Sequence, residues 1–311
     1  MRGKGPPPLV IDTDPGIDDA VALAVAIRTA PAAVAGIVTV FGNAALAAVT
    51  RNASTVVALA GGDVARVRAG TDGPLLGTFD GDTTRHGPEG AGYAPVAPAP
   101  AVAPDPTALL ATLREQPGGV MLVTLGPLTN LAQALSADEA LVRSRVRAHL
   151  AMAGTIPASP TVQAADFNLW ADPDAGNAVL AAGLGTQLVP IDATRQVRVT
   201  ATEIGRCTES RDPLVRWLGD ALRFSLERAP GGVTDGIPVH DAVVLAAALD
   251  PTVLAFEAHR LKIGERHTDS RGKLVEDPAA HSVAIATDVD VPRVRCLLGQ
   301  VLPLNSNFGG E

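Results

Sequence analysis

The chain has 311 residues, 47% apolar and 19% charged, as expected of a soluble globular protein with one α/β domain or two smaller ones. Its net charge of −8 and pI near 5.3 argue against a nucleic-acid backbone or an anionic membrane surface as partner. Two cysteines, Cys207 and Cys296, give no disulfide framework and no metal knuckle, and both read as buried thiols.

Residues 1–8 are basic but carry no apolar leader-like stretch, and no later apolar run reaches membrane length, so a cytoplasmic protein is expected. Leu9 to Ile11 predicts a buried strand, Pro15-Gly16 a turn, and Ala20 to Ile27 a helix. Val34 to Phe41 predicts a strand, Ala44 to Ala60 a helix, and Val64 to Ala69 a strand. The stretch from Gly70 to Pro106, rich in Gly and then in Ala and Pro, reads as a long connection. Beyond it come a strand over Val120 to Leu125, a helix over Pro127 to Leu135 and a strand over Arg147 to Met152. A helix over Pro173 to Ala182 and a strand over Gln187 to Ile191 follow the loop from Gly154 to Ala165. Helices over Pro213 to Arg228 and Asp241 to Leu249 flank a loop from Ala229 to Val239. Val253 to Ile263 and Ser282 to Thr287 read as late strands at an antiparallel edge. This alternation predicts an α/β fold with an open, mostly parallel (mixed) sheet and helices on both faces. Residues 1–311 are expected to form one domain, with active-site loops near 70–93, 154–168 and 229–240.

The first strand–turn–helix unit concentrates charge. Asp12, Asp14, Asp18 and Asp19 occupy four of eight consecutive positions. Asp14, Asp18 and Asp19 are expected to converge at the carboxyl end of a strand, where open α/β sheets place ligands. Carboxylates this close repel one another unless a cation compensates them, and a hard divalent ion, Ca²⁺ or Mg²⁺, suits their oxygens. Helix capping accounts for Asp14 or Asp18 singly, but poorly for four acids together.

Other motifs fall at predicted strand ends or helix starts: Gly42-Asn43, Leu125-Gly126-Pro127-Leu128-Thr129-Asn130, Asp166-Phe167-Asn168 and His240-Asp241. Turn chemistry explains part of each, and Asp241 alone reads as a helix cap. Arg85-His86-Gly87-Pro88-Glu89-Gly90, inside the long connection, is too specific for a plain linker.

Taken in order, these residues resemble the inosine-uridine-preferring nucleoside hydrolase family along nearly the whole chain. The resemblance implies an open α/β fold, one Ca²⁺ per subunit, homodimers or homotetramers, and hydrolysis of ribonucleosides to ribose and free base. It implies that Asp14, Asp19, Asp241 and the backbone carbonyl of Leu125 ligate the ion, with Asp14 also the general base for the attacking water. Asp18, Asn43 and Asn168 are implied to bind the ribose, and Met152 to line the pocket. His240 is implied to sit over the base as a proton donor, with His86 on a mobile loop enclosing it. The family normally has Glu where this chain has Asp166, and commonly Asn where it has Pro160, and both help hold the ribose 5′-hydroxyl. Recognition of that hydroxyl is therefore expected to be weakened or retuned. Base preference is not legible, although Phe224 and Arg228 are candidates for setting it. Two other readings compete. A non-catalytic nucleoside or ribose binder fits the two departures, whereas a phosphohydrolase built on Asp12-Thr13-Asp14 fits the following Pro15-Gly16 badly.

Overall fold

The computed structural model describes residues 7–79, 83–99, 101–157, 159, 162, 164–229 and 236–305. Pro160, one of the two departures noted above, lies outside the described residues. In chain order, β1 (Leu9–Thr13), α1 (Ile17–Thr29), β2 (Val34–Thr39), α2 (Leu46–Ala60) and β3 (Val67–Ala69) lead into the long connection, which contains α3 (Thr83–His86). Then come α4 (Ala108–Glu115), β4 (Val120–Thr124), α5 (Thr129–Arg145), β5 (Val146–Met152), α6 (Phe167–Ala171), α7 (Pro173–Ala181), β6 (Gln187–Val189) and α8 (Ile191–Thr194). The chain continues through β7 (Arg198–Val199), α9 (Ala201–Thr208), α10 (Pro213–Arg228), β8 (Ile237–Pro238) and α11 (His240–Leu249). It closes with β9 (Leu254–Ile263), β10 (Leu274–Glu276), β11 (Ser282–Val289) and α12 (Val291–Leu298).

Nine strands form one sheet in the order β10-β9-β11-β6-β5-β4-β1-β2-β3, while β7 and β8 pair separately. From β3 across to β11 every pairing is parallel. At the other edge β9 runs antiparallel to both β11 and β10. The predicted mixed sheet with an antiparallel edge is therefore observed. Side chains alternate across it: Leu9 and Ile11 of β1 join the core formed with α1, α2, α10 and α11. Val10 points to the opposite face, where it packs with Leu109 and Leu113 of α4 and Leu131 of α5. Helix α1 is apolar nearly all round, and every residue from Ala20 to Ile27 is buried, as a helix wedged between neighbours must be.

Several boundaries differ from expectation. Helix α5 runs on past Leu135 to Arg145 through a kink at Asp138, because the polar surface-facing residues there do not interrupt it. The strand expected to reach Ile191 stops at Val189, where Pro190 removes a ladder donor. Cys207 is buried but Cys296 is exposed, which corrects the expectation for the second thiol. No helix among the described residues is long and apolar enough to cross a membrane.

Candidate active site

The carboxyl ends of β1, β2, β4 and β5 face a cavity of about 630 Å³. Asp14 and Asp19 are fully buried behind its lining, both bonded to Asn43, which faces it. Asp18, Asn43, His86, Leu125, Met152, Asp166, Asn168, His240 and Asp241 all line it. Residues drawn from positions 14 to 241 of the sequence thus meet in one place.

The loop between β1 and α1 is tightly bonded. Thr13 donates its hydroxyl to Asp19 Oδ1 at 2.6 Å, and the Gly16 N–H donates to Asp19 Oδ2 at 3.0 Å. Asp19 thus helps cap α1 while its carboxylate stays in the site, a role that the sequence suggested for Asp14 or Asp18 instead. The Asn43 backbone N–H donates to Asp14 Oδ2 at 2.8 Å. Its side-chain Nδ2 donates to Asp14 O at 3.1 Å and Asp19 Oδ2 at 3.0 Å. The other Asp14 oxygen, Oδ1, is buried and has no hydrogen-bond partner among the described residues. Two glycines make room for this carboxylate. A Cβ on Gly42 would fall 2.0 Å from Asp14 Oδ2, and one on Gly126 would fall 2.7 Å from Oδ1.

Asp18, Asp19 and Asp241 bring carboxylate oxygens within 4.8 Å of one another. Asp241 sits inside the first turn of α11, whose N-cap is Val239, so it does not cap that helix. Burial pushes the Asp14 and Asp241 carboxyls well above the ordinary range, and repulsion from neighbouring aspartates raises them further. Asp19 moves upward for the same two reasons, burial first and Asp18 second. Such a set is costly to ionise without a compensating cation. The orphaned Asp14 oxygen and the all-oxygen donor set fit a hard divalent ion. The Leu125 carbonyl also fits, because it accepts from Asn168 Nδ2 at 2.6 Å and has a second lone pair.

Asn168 donates its other amide hydrogen to Met152 O at 2.9 Å, so its Oδ1 is the acceptor left for a ligand. His86 closes α3, and its Nδ1 accepts the Ile17 N–H at 3.0 Å. That bond ties it to the start of α1 and puts its ring proton on Nε2. His240 Nδ1 lies 2.7 Å from Thr194 Oγ1. Burial lowers the His240 pKa, and Arg85, His86 and Arg198 lower it further while Asp18 opposes them. Its ring is therefore biased toward the neutral form. Asp166 is buried, N-caps α6 by accepting the Leu169 N–H at 3.0 Å, and is pushed up to about 6 by burial.

Phe224 and Arg228 do not line the cavity. The Arg228 guanidinium stacks 3.7 Å from the Phe224 ring and donates to the Tyr93 hydroxyl at 2.9 Å. Three contributors escaped the sequence reading: Thr194 and the rings of Phe79 and Trp170, the last two in the lining. Arg85, of the quoted Arg85–Gly90 cluster, also lines the cavity, and Asn130, of another quoted motif, donates to the buried Asp12 at 2.8 Å. Burial nonetheless pushes Asp12 up to about 7.

Comparison with known proteins identifies the fold and the family. Uridine nucleosidase 1 of Arabidopsis thaliana is 31% identical over 258 residues, covering 80% of this chain and 76% of the relative. The pyrimidine-specific ribonucleoside hydrolase RihA of Photobacterium profundum is 30% identical, covering 80% of this chain and 81% of its own. A solved plant nucleoside hydrolase superposes with a TM-score of 0.84 at 26% identity, covering 94% of this chain and 98% of that one. The sequence model of the inosine-uridine preferring nucleoside hydrolase family matches residues 9–295, and the chain belongs to that family.

Proposed function

We propose that this nucleoside hydrolase cleaves the N-glycosidic bond with a divalent cation held by Asp14, Asp19, Asp241 and the Leu125 carbonyl, and that the cation is Ca²⁺. The observation that carries the reading is the buried Asp14 carboxylate, one oxygen unpartnered, beside three more carboxylates at the foot of a ligand-sized cavity. When bound, such an ion orients the attacking water and lowers its pKa. Asp14 takes the proton from that water as general base. Asp18 and the Oδ1 atoms of Asn43 and Asn168 accept hydrogen bonds from ribose hydroxyls, and Met152 packs beneath the sugar. The same carboxylates stabilise the positive charge that grows on the ribose in an oxocarbenium-like transition state.

His240 and His86 serve the departing base. The Thr194 hydroxyl lies closer to His240 Nδ1, at 2.7 Å, than to the Pro190 carbonyl at 3.2 Å. That contact fixes the orientation of the ring and leaves Nε2 as the nitrogen available to the departing base. His86, at the end of α3, offers a second N–H donor. Asp166 bounds the ribose 5′ side. We take residues 1–311 as one domain acting as a homodimer or homotetramer.

The relatives' names make uridine the first substrate to try. Ribose release from uridine, cytidine, inosine and adenosine is measured with and without a chelator. Release that the chelator abolishes and Ca²⁺ restores is the expected result. Undiminished release from chelated enzyme would overturn the role of the cation. Absence of release from all four would overturn the reading itself.

A further inference from the structure

The cavity is lined by two contiguous groups of opposite character. Asp18, Asn43, His86, His240 and Asp241 form the polar one, around the acidic cluster. The other is an aromatic wall. Phe79 stands edge-to-face to Phe41 at 5.5 Å, to Phe167 at 5.5 Å and to Trp170 at 5.9 Å. Of six phenylalanines and two tryptophans in the chain, three and one stand in this wall, and Phe79, Phe167 and Trp170 line the cavity. Such concentration in an aromatic-poor chain is not needed for the core, because the wall is partly open: Trp170 is 41% exposed and Phe79 half-buried. Trp170 is held in place, with the Arg271 guanidinium 4.2 Å over its ring and Arg271 Nε donating to its carbonyl at 3.0 Å.

Asp166 is the acid next to this wall, and one of its oxygens is engaged by the helix it caps: the Leu169 N–H donates to Oδ1 at 3.0 Å. That bond ties its short side chain to the start of α6, next to Phe167. This part of the lining therefore presents exposed aromatic surface beside an acid held to its own helix. Aromatic faces and edges take up apolar groups and thioether sulfur in particular.

We propose that this site accepts ribonucleosides with an apolar substituent at the 5′ position, the 5′-deoxy-5′-alkylthio nucleosides being the chemical class that fits. The inference rests on the nucleoside-hydrolase reading above, in which the base meets His240 and the ribose 5′ carbon meets Asp166 and the aromatic wall. The alkylthio group lies against Trp170 and Phe79, whose apolar contact takes the place of the one lost with the 5′-hydroxyl.

The test uses the calcium-loaded full chain, with uridine and 5′-deoxy-5′-methylthiouridine as substrates. The expected kcat/KM for the thioether is within about tenfold of that for uridine. A site built around the hydroxyl would instead reject the analogue by ~10⁴-fold or more. Trp170→Ala, at an exposed position, is expected to lower the thioether-to-uridine ratio about tenfold, and Phe79→Ala to lower it in the same direction. Rejection of the analogue by enzyme that cleaves uridine overturns the inference. So does an equal loss on both substrates, which would mean that the wall stacks on the base. Calorimetric titration with both compounds reads the subsite without turnover. If uridine binds uncleaved, the hydrolase reading fails, while tighter binding of the thioether, lost in Trp170→Ala, still upholds the 5′ subsite.

Discussion

Asp14 combines two demands that a single substitution separates. Its carboxyl is buried, flanked by like charges and raised well above the ordinary range, so ionising it destabilises the metal-free fold. Asp14→Asn is expected to reduce kcat by at least ~10²-fold, the loss of a general base. The same variant, chelated, is expected to melt above chelated wild type. Calcium at about 100 times its dissociation constant adds ~2.7 kcal/mol of stability to wild type and much less to the variant. Thermal melts with and without the ion check both signs. A subtler residue is Thr194. Thr194→Val removes the partner of His240 Nδ1, and a net hydrogen bond of about 1 kcal/mol predicts a ~5-fold fall in kcat with KM little changed. The four acids were legible in the sequence because their charge density has few structural explanations. Thr194 was not, since it meets His240 across 46 positions and carries no local pattern.

At the scale of elements, the strand ends are what hold the site together. Gly42 ends the loop after β2 with its α-carbon turned onto the Asp14 carboxylate, at φ 157°. Gly42→Ala places a methyl 2.0 Å from Asp14 Oδ2 and is expected to cost at least tenfold in kcat/KM while far-UV circular dichroism stays native. The pattern of strands and helices was readable nearly to the residue where periodicity was strong: Pro213–Arg228 forms α10 as expected. Short helices were missed, although the start of α9 is written in the sequence as Thr200-x-x-Glu203, a reciprocal cap. That Glu203 does more than cap was not readable. Its Oε1 accepts Arg295 Nη2 of α12 at 2.5 Å and the Asn305 N–H at 2.8 Å, joining segments a hundred residues apart. Arg295→Met strands the buried carboxylate and is expected to destabilise the fold by about 3–5 kcal/mol, measured by urea unfolding.

For the molecule as a whole, the parallel crossovers of the sheet bring Asp14, Asn43, Leu125 and Met152 from four strand ends to one cavity, and this gathers more buried acid than buried base. Stability should therefore depend on pH in an unusual direction. Asp12 is pushed up to about 7, and Asp14, Asp19 and Asp241 are also raised, whereas an unfolded chain binds those protons only near 3.8. As pH falls from about 8 to 6.5, the metal-free native state takes up protons that the unfolded state does not, so its stability rises, by up to ~1.4 kcal/mol per pH unit for each group titrating. The buried His149, lowered to about 3, and His240, also lowered, oppose part of this as pH nears the ordinary histidine value of 6.5, where the unfolded chain protonates and the folded rings do not. Chelated protein is accordingly expected to melt at least about 2 °C higher at pH 6.5 than at pH 8. Saturating calcium keeps its ligands ionised and should flatten that slope, leaving mainly the Asp12 contribution. Melting curves across this window, with and without calcium, decide the matter: a chelated protein whose melting point falls on acidification would mean that the acidic cluster is already balanced by charges of the protein itself.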